Sequence, residues 1–293
     1  MNVRAIFITV LVLGGPPAVV VGQAPVGAPW DSVGRILQTS GSATGGYYRY
    51  VWPRRDLTLR IGDVTVSPAL ALGAWAGFSG DAADATMMGD LVLTSGEVKP
   101  VLAELARQRI AVTAIHNHLV GEEPKITYVH FHAEGNPLEL GSRLDRVLAL
   151  TGAPRPVAAA PPSGPVTIDT ALVFNTLGLR GRAQGAVAQL SVVLVPGTVT
   201  MHGRTVTPAL GYGTPINIQA LSPERAVATG DFTVLAAKVA PVFDALTAHG
   251  ITATALHSHL VGAEPTLYYM HFWADGPLPD VLRGLRAALD AAR

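Results

Sequence analysis

The sequence predicts an α+β protein made of two tandem copies of one repeat, a mostly antiparallel sheet with helices on one face, related by a pseudo-twofold. Three observations carry this. Thr113-Ala-Ile-His-Asn-His-Leu-Val-Gly-Glu-Glu-Pro124 returns without a gap as Thr254-Ala-Leu-His-Ser-His-Leu-Val-Gly-Ala-Glu-Pro265, an offset of 141 residues. The same offset carries Gly89-Asp90 onto Gly230-Asp231, Pro100 onto Pro241 and His130-Phe131 onto His271-Phe272, and Thr65–Leu70 matches Thr205–Leu210 at offset 140. Finally, the apolar periods of the first copy give strands, a helix, two strands and a helix, and self-similarity at a fixed period means a repeated structural unit.

Residues 1–24 read as a signal peptide. Arg4 supplies the basic start, Ala5–Gly14 the apolar stretch and Val20-Val21-Gly22 the small-residue cleavage site. Pro16-Pro17 breaks the apolar run well short of the ~20 residues of a membrane span, so no stable span is expected. Repeat 1 is assigned to residues 28–151, a Pro/Ala-rich linker to 152–165 and repeat 2 to 166–293.

Within repeat 1, Asp31–Leu37 reads as a short opening helix. Leu57–Ile61 and Val64–Val66 flank Gly62-Asp63, a Gly-first turn suited to a hairpin. A strand is expected around Ala85–Leu93. Pro100–Ile110 has helical spacing, and Thr94-Ser-Gly-Glu97 has the spacing of a capping box. Thr113–Val120 and Ile126–Ala133 alternate as paired strands around a Gly/Glu/Pro turn, and Leu138–Leu150 closes the repeat as a helix.

Composition narrows the function. Lys plus Arg and Asp plus Glu number 21 each, with no basic stripe to neutralise phosphates, so nucleic acid is not an expected partner. The absence of cysteine removes disulfides, thiol nucleophiles and thiolate metal sites; any metal would be held by nitrogen and oxygen. No phosphate-binding loop, dinucleotide fingerprint or Gly-x-Ser-x-Gly elbow is present.

Seven of the nine histidines lie in the two predicted hairpins. Residues two apart on a strand share a face, so His116 with His118, and His130 with His132, would crowd one side of the sheet if even-numbered residues face each other across the ladder. Repeat 2 retains His257, His259, Glu264 and His271 as counterparts of His116, His118, Glu123 and His130. His132 becomes Trp273 and Glu122 becomes Ala263, which lowers the rank of both. The duplicated set of three histidines and one glutamate suits a divalent transition metal, zinc first. Glu123 and Glu264 would be an oxygen ligand or the general base. A hydrogen-bonded structural network is the competing reading. Asp90 and Asp231 read first as turn caps and second as groups orienting a histidine. Arg54-Arg55-Asp56 has no partner in repeat 2, which marks repeat 1 as the better candidate for activity; a surface ion pair is the other account.

Gly89-Asp-Leu-Val-Leu, Glu97-Val-Lys-Pro-Val, Thr113-Ala-Ile-His-Asn-His-Leu, Glu123-Pro and His271-Phe-Trp-Ala-Asp-Gly together resemble the LppY/LpqO-type family of bacterial exported proteins, over both repeats. The resemblance implies an exported two-repeat protein and carries no activity with it. The namesakes look like lipoproteins. Here no cysteine is available for acylation, so a soluble periplasmic or secreted form is expected. Three functions stay open: a metal-dependent extracytoplasmic hydrolase, a non-catalytic binder of metal or of a small-molecule or cell-envelope ligand, and a structural histidine network. The sequence fixes neither oligomeric state nor whether the hairpins share one site.

Overall fold

The computed structural model describes residues 29–158, 165 and 167–293; the expected signal peptide and the middle of the linker lie outside them. Repeat 1 runs α1 (Trp30–Ile36), β1 (Ser42–Thr44), β2 (Tyr47–Pro53), β3 (Leu59–Ile61), β4 (Val64–Val66), α2 (Pro68–Ala71), β5 (Gly73–Gly80), β6 (Ala85–Thr94), α3 (Ser95–Arg107), β7 (Ala111–His116), β8 (Glu122–Glu123), β9 (Ile126–Gly135) and α4 (Pro137–Leu148). Repeat 2 follows the same order: α5 (Thr170–Leu177), β10 (Gly181–Gln184), β11 (Val187–Val192), β12 (Thr200–Met201), β13 (Arg204–Thr205), α6 (Pro208–Gly211), β14 (Thr214–Ala220), β15 (Ala226–Leu235), α7 (Ala236–Ala248), β16 (Thr252–His257), β17 (Ala263–Glu264), β18 (Leu267–Gly276) and α8 (Leu278–Ala292). No helix among the described residues is long and apolar enough to cross a membrane.

Each repeat forms a six-stranded antiparallel sheet, ordered β1-β2-β5-β6-β9-β7 and β10-β11-β14-β15-β18-β16, plus a three-stranded satellite, β4-β3-β8 and β13-β12-β17. The predicted duplication and α+β class are therefore what the chain adopts. Period two decides the layers. On β6 and β9, Met87, Leu91, Leu93, Val129 and Phe131 face the helices, where they pack with Val101 and Leu105 of α3 and Leu140, Leu144 and Val147 of α4. The alternate residues face the other repeat.

Strands β1, β2 and β5 of the first main sheet escape the sequence pattern. β5 is GAWAGFSG, and glycine and alanine are poor strand formers on their own; β2 is YYRYVWP, where aromatics occupy both faces. The helix expected to begin at Pro100 starts five residues earlier, with the Glu97 carboxylate accepting from the Thr94 N–H at 2.7 Å as the capping-box spacing requires. The described start of the linker is not free. Val157 N–H donates to Gln38 O at 2.9 Å, and Arg155 pairs with Asp145 at 2.8 Å, docking it on repeat 1.

The repeats clasp each other. α2 of repeat 1 lies on sheet 2, where Gln189 and Asn217 donate side-chain N–H groups to Ala69 O and Leu70 O at 2.7 and 2.8 Å. Gln219 bridges Thr65 O and Ser67 N–H at 3.0 and 2.9 Å. Reciprocally, Leu210 of α6 and Met201 of β12 pack with Tyr47 and Met88 of sheet 1. Each satellite thus covers its partner's sheet and draws its own histidine loop across the boundary.

Arg54 is no surface ion pair. It is 1% exposed and holds both Asp56 and Glu97, at 2.8 and 2.9 Å, where β2 meets the start of α3.

Candidate metal centre

The two Gly-Asp pairs sit in the middle of β6 and β15, not at a turn. Asp90 stands directly opposite His130 in the β6–β9 ladder, and Asp231 opposite His271 in the β15–β18 ladder. The turn-capping reading is overturned by this register. The glycines have their own cause: a Cβ on Gly230 would overlap the carbonyl oxygen of Pro215, and one on Gly89 that of Trp75. Because this obstacle is backbone, Gly230→Ala should cost about 1–3 kcal/mol by overpacking. A lowered denaturant midpoint at unchanged m-value would show it; an unchanged midpoint would mean β14 yields freely.

The hairpin expectation is half right. β7 and β9 pair antiparallel with even-numbered residues opposed, Ala114 to His130 and His116 to Tyr128, after a bulge between Val112 and Ala114. The histidines are therefore diagonal neighbours. β7 ends at His116, so His118 lies in the following loop, as His259 does after β16. The loops matter because each crosses to the other repeat.

The six repeated histidines form one group across the interface. His130 stacks on His259 with ring centroids 3.5 Å apart, and its counterpart His271 meets His118 at 3.9 Å. His116 and His257 stack on each other at 3.9 Å, on the pseudo-twofold. The donor atoms of His116, His130, His257 and His259 all lie within 4.8 Å of one another, and so do those of His118, Asp231 and His271. The site is thus shared, and neither repeat completes it alone.

Glu123 and Glu264 are not brought into it. Both are exposed on the two-residue strands β8 and β17, opposite Arg60 and Thr200. The carboxylates that do meet the imidazoles are Asp90, 3.5 Å from His130 Nε2, and Asp231, which touches His271 Nδ1 and lies 3.7 Å from His118 Nε2. Their legible signal was the duplicated Asp with strand parity matching His130 and His271. His132, already ranked second, turns instead to Glu134 and His202.

Electrostatics at the centre favour a cation. Burial pushes His118 and His257 down to about 3 and lowers His116, His130, His259 and His271 as well, so the imidazoles are neutral at pH 7. Burial raises Asp90 and Asp231, Asp90 further through the charge of Asp231. His116 Nδ1 lies 3.0 Å from Asn117 O and His271 Nδ1 3.2 Å from Gly230 O; a carbonyl only accepts, so Nδ1 carries the proton and Nε2 the lone pair. Those two Nε2 atoms, His130 Nε2, His257 Nδ1 and Asp90 Oδ1 are buried without a hydrogen-bond partner. A finished structural network would pair them. A divalent ion accepts the lone pairs and balances the buried carboxylates, so the residues fit one. Tetrahedral Zn–N bonds put ligand nitrogens about 3.3 Å apart, and the nitrogen-only group lies within 4.8 Å throughout.

The domain of unknown function DUF1259 matches residues 31–150 and again residues 171–291. The chain belongs to that family. Each match spans one repeat of this chain. No curated protein matches the sequence. Among solved structures, EtuB from Clostridium kluyveri is 12% identical, with 87% of this chain and 90% of that one covered and a TM-score of 0.22. A fused permuted hexameric shell protein of the RMM microcompartment is 13% identical, with 72% and 85% covered and a TM-score of 0.19. At those scores neither likeness carries an argument.

Proposed function

We propose that this DUF1259 chain is an exported, metal-dependent hydrolase whose two repeats jointly build one polyhistidine centre. The observation that carries the reading is the convergence of six imidazoles from both repeats, with four of their nitrogens buried and unpaired. The thiolate-free, imidazole-rich donor set suits zinc first, then iron, copper or nickel. When bound, such an ion supplies Lewis acidity and lowers the pKa of water at an open position.

The chain's own residues would divide the remaining work. His116, His257, His259 and His130 form the nitrogen-only set, and His118, His271 and Asp231 the mixed one. Asp90 belongs to neither and sits beside His130 with its carboxyl pKa raised, which suits it to take and return a proton. Proton handling thus falls to Asp90 in place of Glu123 and Glu264. The four loop and edge-strand histidines are half-buried, so a small-molecule or cell-envelope ligand reaches the centre from their side. Val120 and Val261, more than half exposed beside them, offer that ligand an apolar contact. Export rests on the N-terminal Arg4 and Ala5–Gly14 pattern and on the LppY/LpqO resemblance, and implies a periplasmic or secreted location.

The test is elemental analysis of the chain lacking residues 1–24 and any His-tag, beside His116→Ala/His257→Ala. Transition metal in the parent, with the central equivalents lost from a still-folded variant, supports the centre; turnover of ester, amide or phosphoester probes that follows the metal supports the hydrolase. Metal without turnover leaves a binding protein. A folded parent that takes up no zinc, manganese, iron or copper overturns the proposal.

A further inference from the structure

A second group of donors lies outside the six-histidine centre and crosses the same interface. His132 and Glu134 stand two apart at the end of β9, on one face of sheet 1. His202 comes from repeat 2, at the tip of the β12–β13 hairpin, with φ +52° followed by Gly203 at +77°. The three offer ligand atoms all within 4.8 Å of one another. Glu134 Oε1 is 3.4 Å from His132 Nε2 and 3.7 Å from His202 Nδ1, and the two rings meet edge-on at 63°.

The pseudo-twofold supplies the control. At the equivalent place, the Gly62-Asp63 turn of repeat 1 meets the end of β18, and Arg225 closes the contact by bridging Asp63 and Asp275 at 2.6 and 2.7 Å. Here Arg204 does the same work, bridging Asp84 and Glu134 Oε2 at 2.9 and 3.1 Å. The clasp is complete at that point. His132 and His202, which replace Trp273 and Gly62, are surplus to it. Yet His132 is 5% exposed, and its Nε2 and Glu134 Oε1 face each other at 3.4 Å without either making a hydrogen bond. A buried donor pair left open by an otherwise closed lock requires another partner.

We propose that His132, Glu134 and His202 form a second, peripheral site for a divalent transition metal. Two imidazoles and one carboxylate leave coordination positions free, and the half-exposed His202 ring opens them to solvent. Arg204 aims the carboxylate by holding its other oxygen, the usual outer-shell role. An ion here ties the two repeats together, so binding stabilises the fold independently of any chemistry at the centre.

The experiment is zinc titration of the full mature chain by calorimetry and equilibrium dialysis, with thermal unfolding alongside. The variants are His202→Asn and His116→Ala/His257→Ala. Asparagine tolerates the positive φ that alanine would strain, so the turn survives. His202→Asn should lose one zinc equivalent and the part of the zinc-induced rise in Tm that belongs to it. The double variant should keep that equivalent, which separates this site from the centre. If the centre binds nothing, the parent holds one equivalent and His202→Asn none, and the peripheral site stands alone. Equal stoichiometry in parent and His202→Asn overturns the proposal, as does a parent that takes up no zinc.

Discussion

Metal-free protein taken from pH 7 towards pH 4 will unfold. Six imidazoles are held below their ordinary value of 6.5, burial being the first cause at each, with His118 and His257 at about 3. Between 6.5 and the folded values the unfolded chain binds more protons, so the stability these groups contribute is complete above 6.5 and lost as the pH falls. Asp90 and Asp231 act in the opposite sense. Their raised pKa values mean that the folded state holds protons the unfolded state releases, a contribution present below 3.8 and lost as pH rises through the folded value. Six groups outweigh two. A net difference of up to four protons corresponds to a slope of about 5 kcal/mol per pH unit, less as the four half-buried loop and edge-strand histidines contribute less. A domain stable by roughly 5–15 kcal/mol loses most of that within two or three units. Bound metal needs the same lone pairs, so the loaded protein should keep its Tm to lower pH until protons displace the ion. Thermal unfolding against pH, with and without chelator, is the measurement. A flat Tm from pH 7 to pH 5 in chelator would show that the imidazoles are not buried as neutral groups.

Arg54→Leu should be the most destabilising single change outside the centre, costing about 3–5 kcal/mol. The guanidinium is 1% exposed and is shared by Asp56, Glu97 and the carbonyl of Val92. Glu97, 14% exposed, also caps α3 through Thr94 N–H and accepts from Gly152 N–H, so removing its cation leaves a buried charge at a three-way junction. Repeat 2 shows how the same place is built without an ion pair: Leu194, Pro196 and Lys238 stand where Arg54, Asp56 and Glu97 do, and Lys238 reaches Ala291 O at 3.4 Å. Adding Glu97→Gln to Arg54→Leu should therefore recover a good part of the loss, because the uncompensated charge goes with the partner. Chemical denaturation of the two variants measures the difference. If the double variant is as unstable as the single, the network acts through its shape and hydrogen bonds, and the charge argument fails. On either outcome Arg54 holds repeat 1 together and gives no ground for placing activity in that half.

The sequence by itself determined the duplication, the α+β class, strands in the places of β6 and β9, and the candidate ligands His116, His118, His130, His257, His259 and His271. All of these follow from local periods of two or 3.6 residues and from self-similarity, which need no knowledge of distant contacts. Strand parity also held Asp90 and Asp231 in register with His130 and His271, although a turn was the preferred reading. Only the tertiary structure decided which residues meet. His118 leaves its strand because β8 pairs with β3, and that satellite sits on the other repeat's sheet, so the loop brings His118 to His271. Glu123 and Glu264 stay out of the centre for the same reason: the turn that carries them forms satellite strands β8 and β17, whose other residues, Glu122 and Ala263, are buried while the two glutamates face solvent. A reciprocal clasp between repeats is a contact of high sequence separation, fixed by burial of Tyr47, Met88, Met201 and Leu210 together. No local period encodes it, and it is what turns two half-sites into one centre.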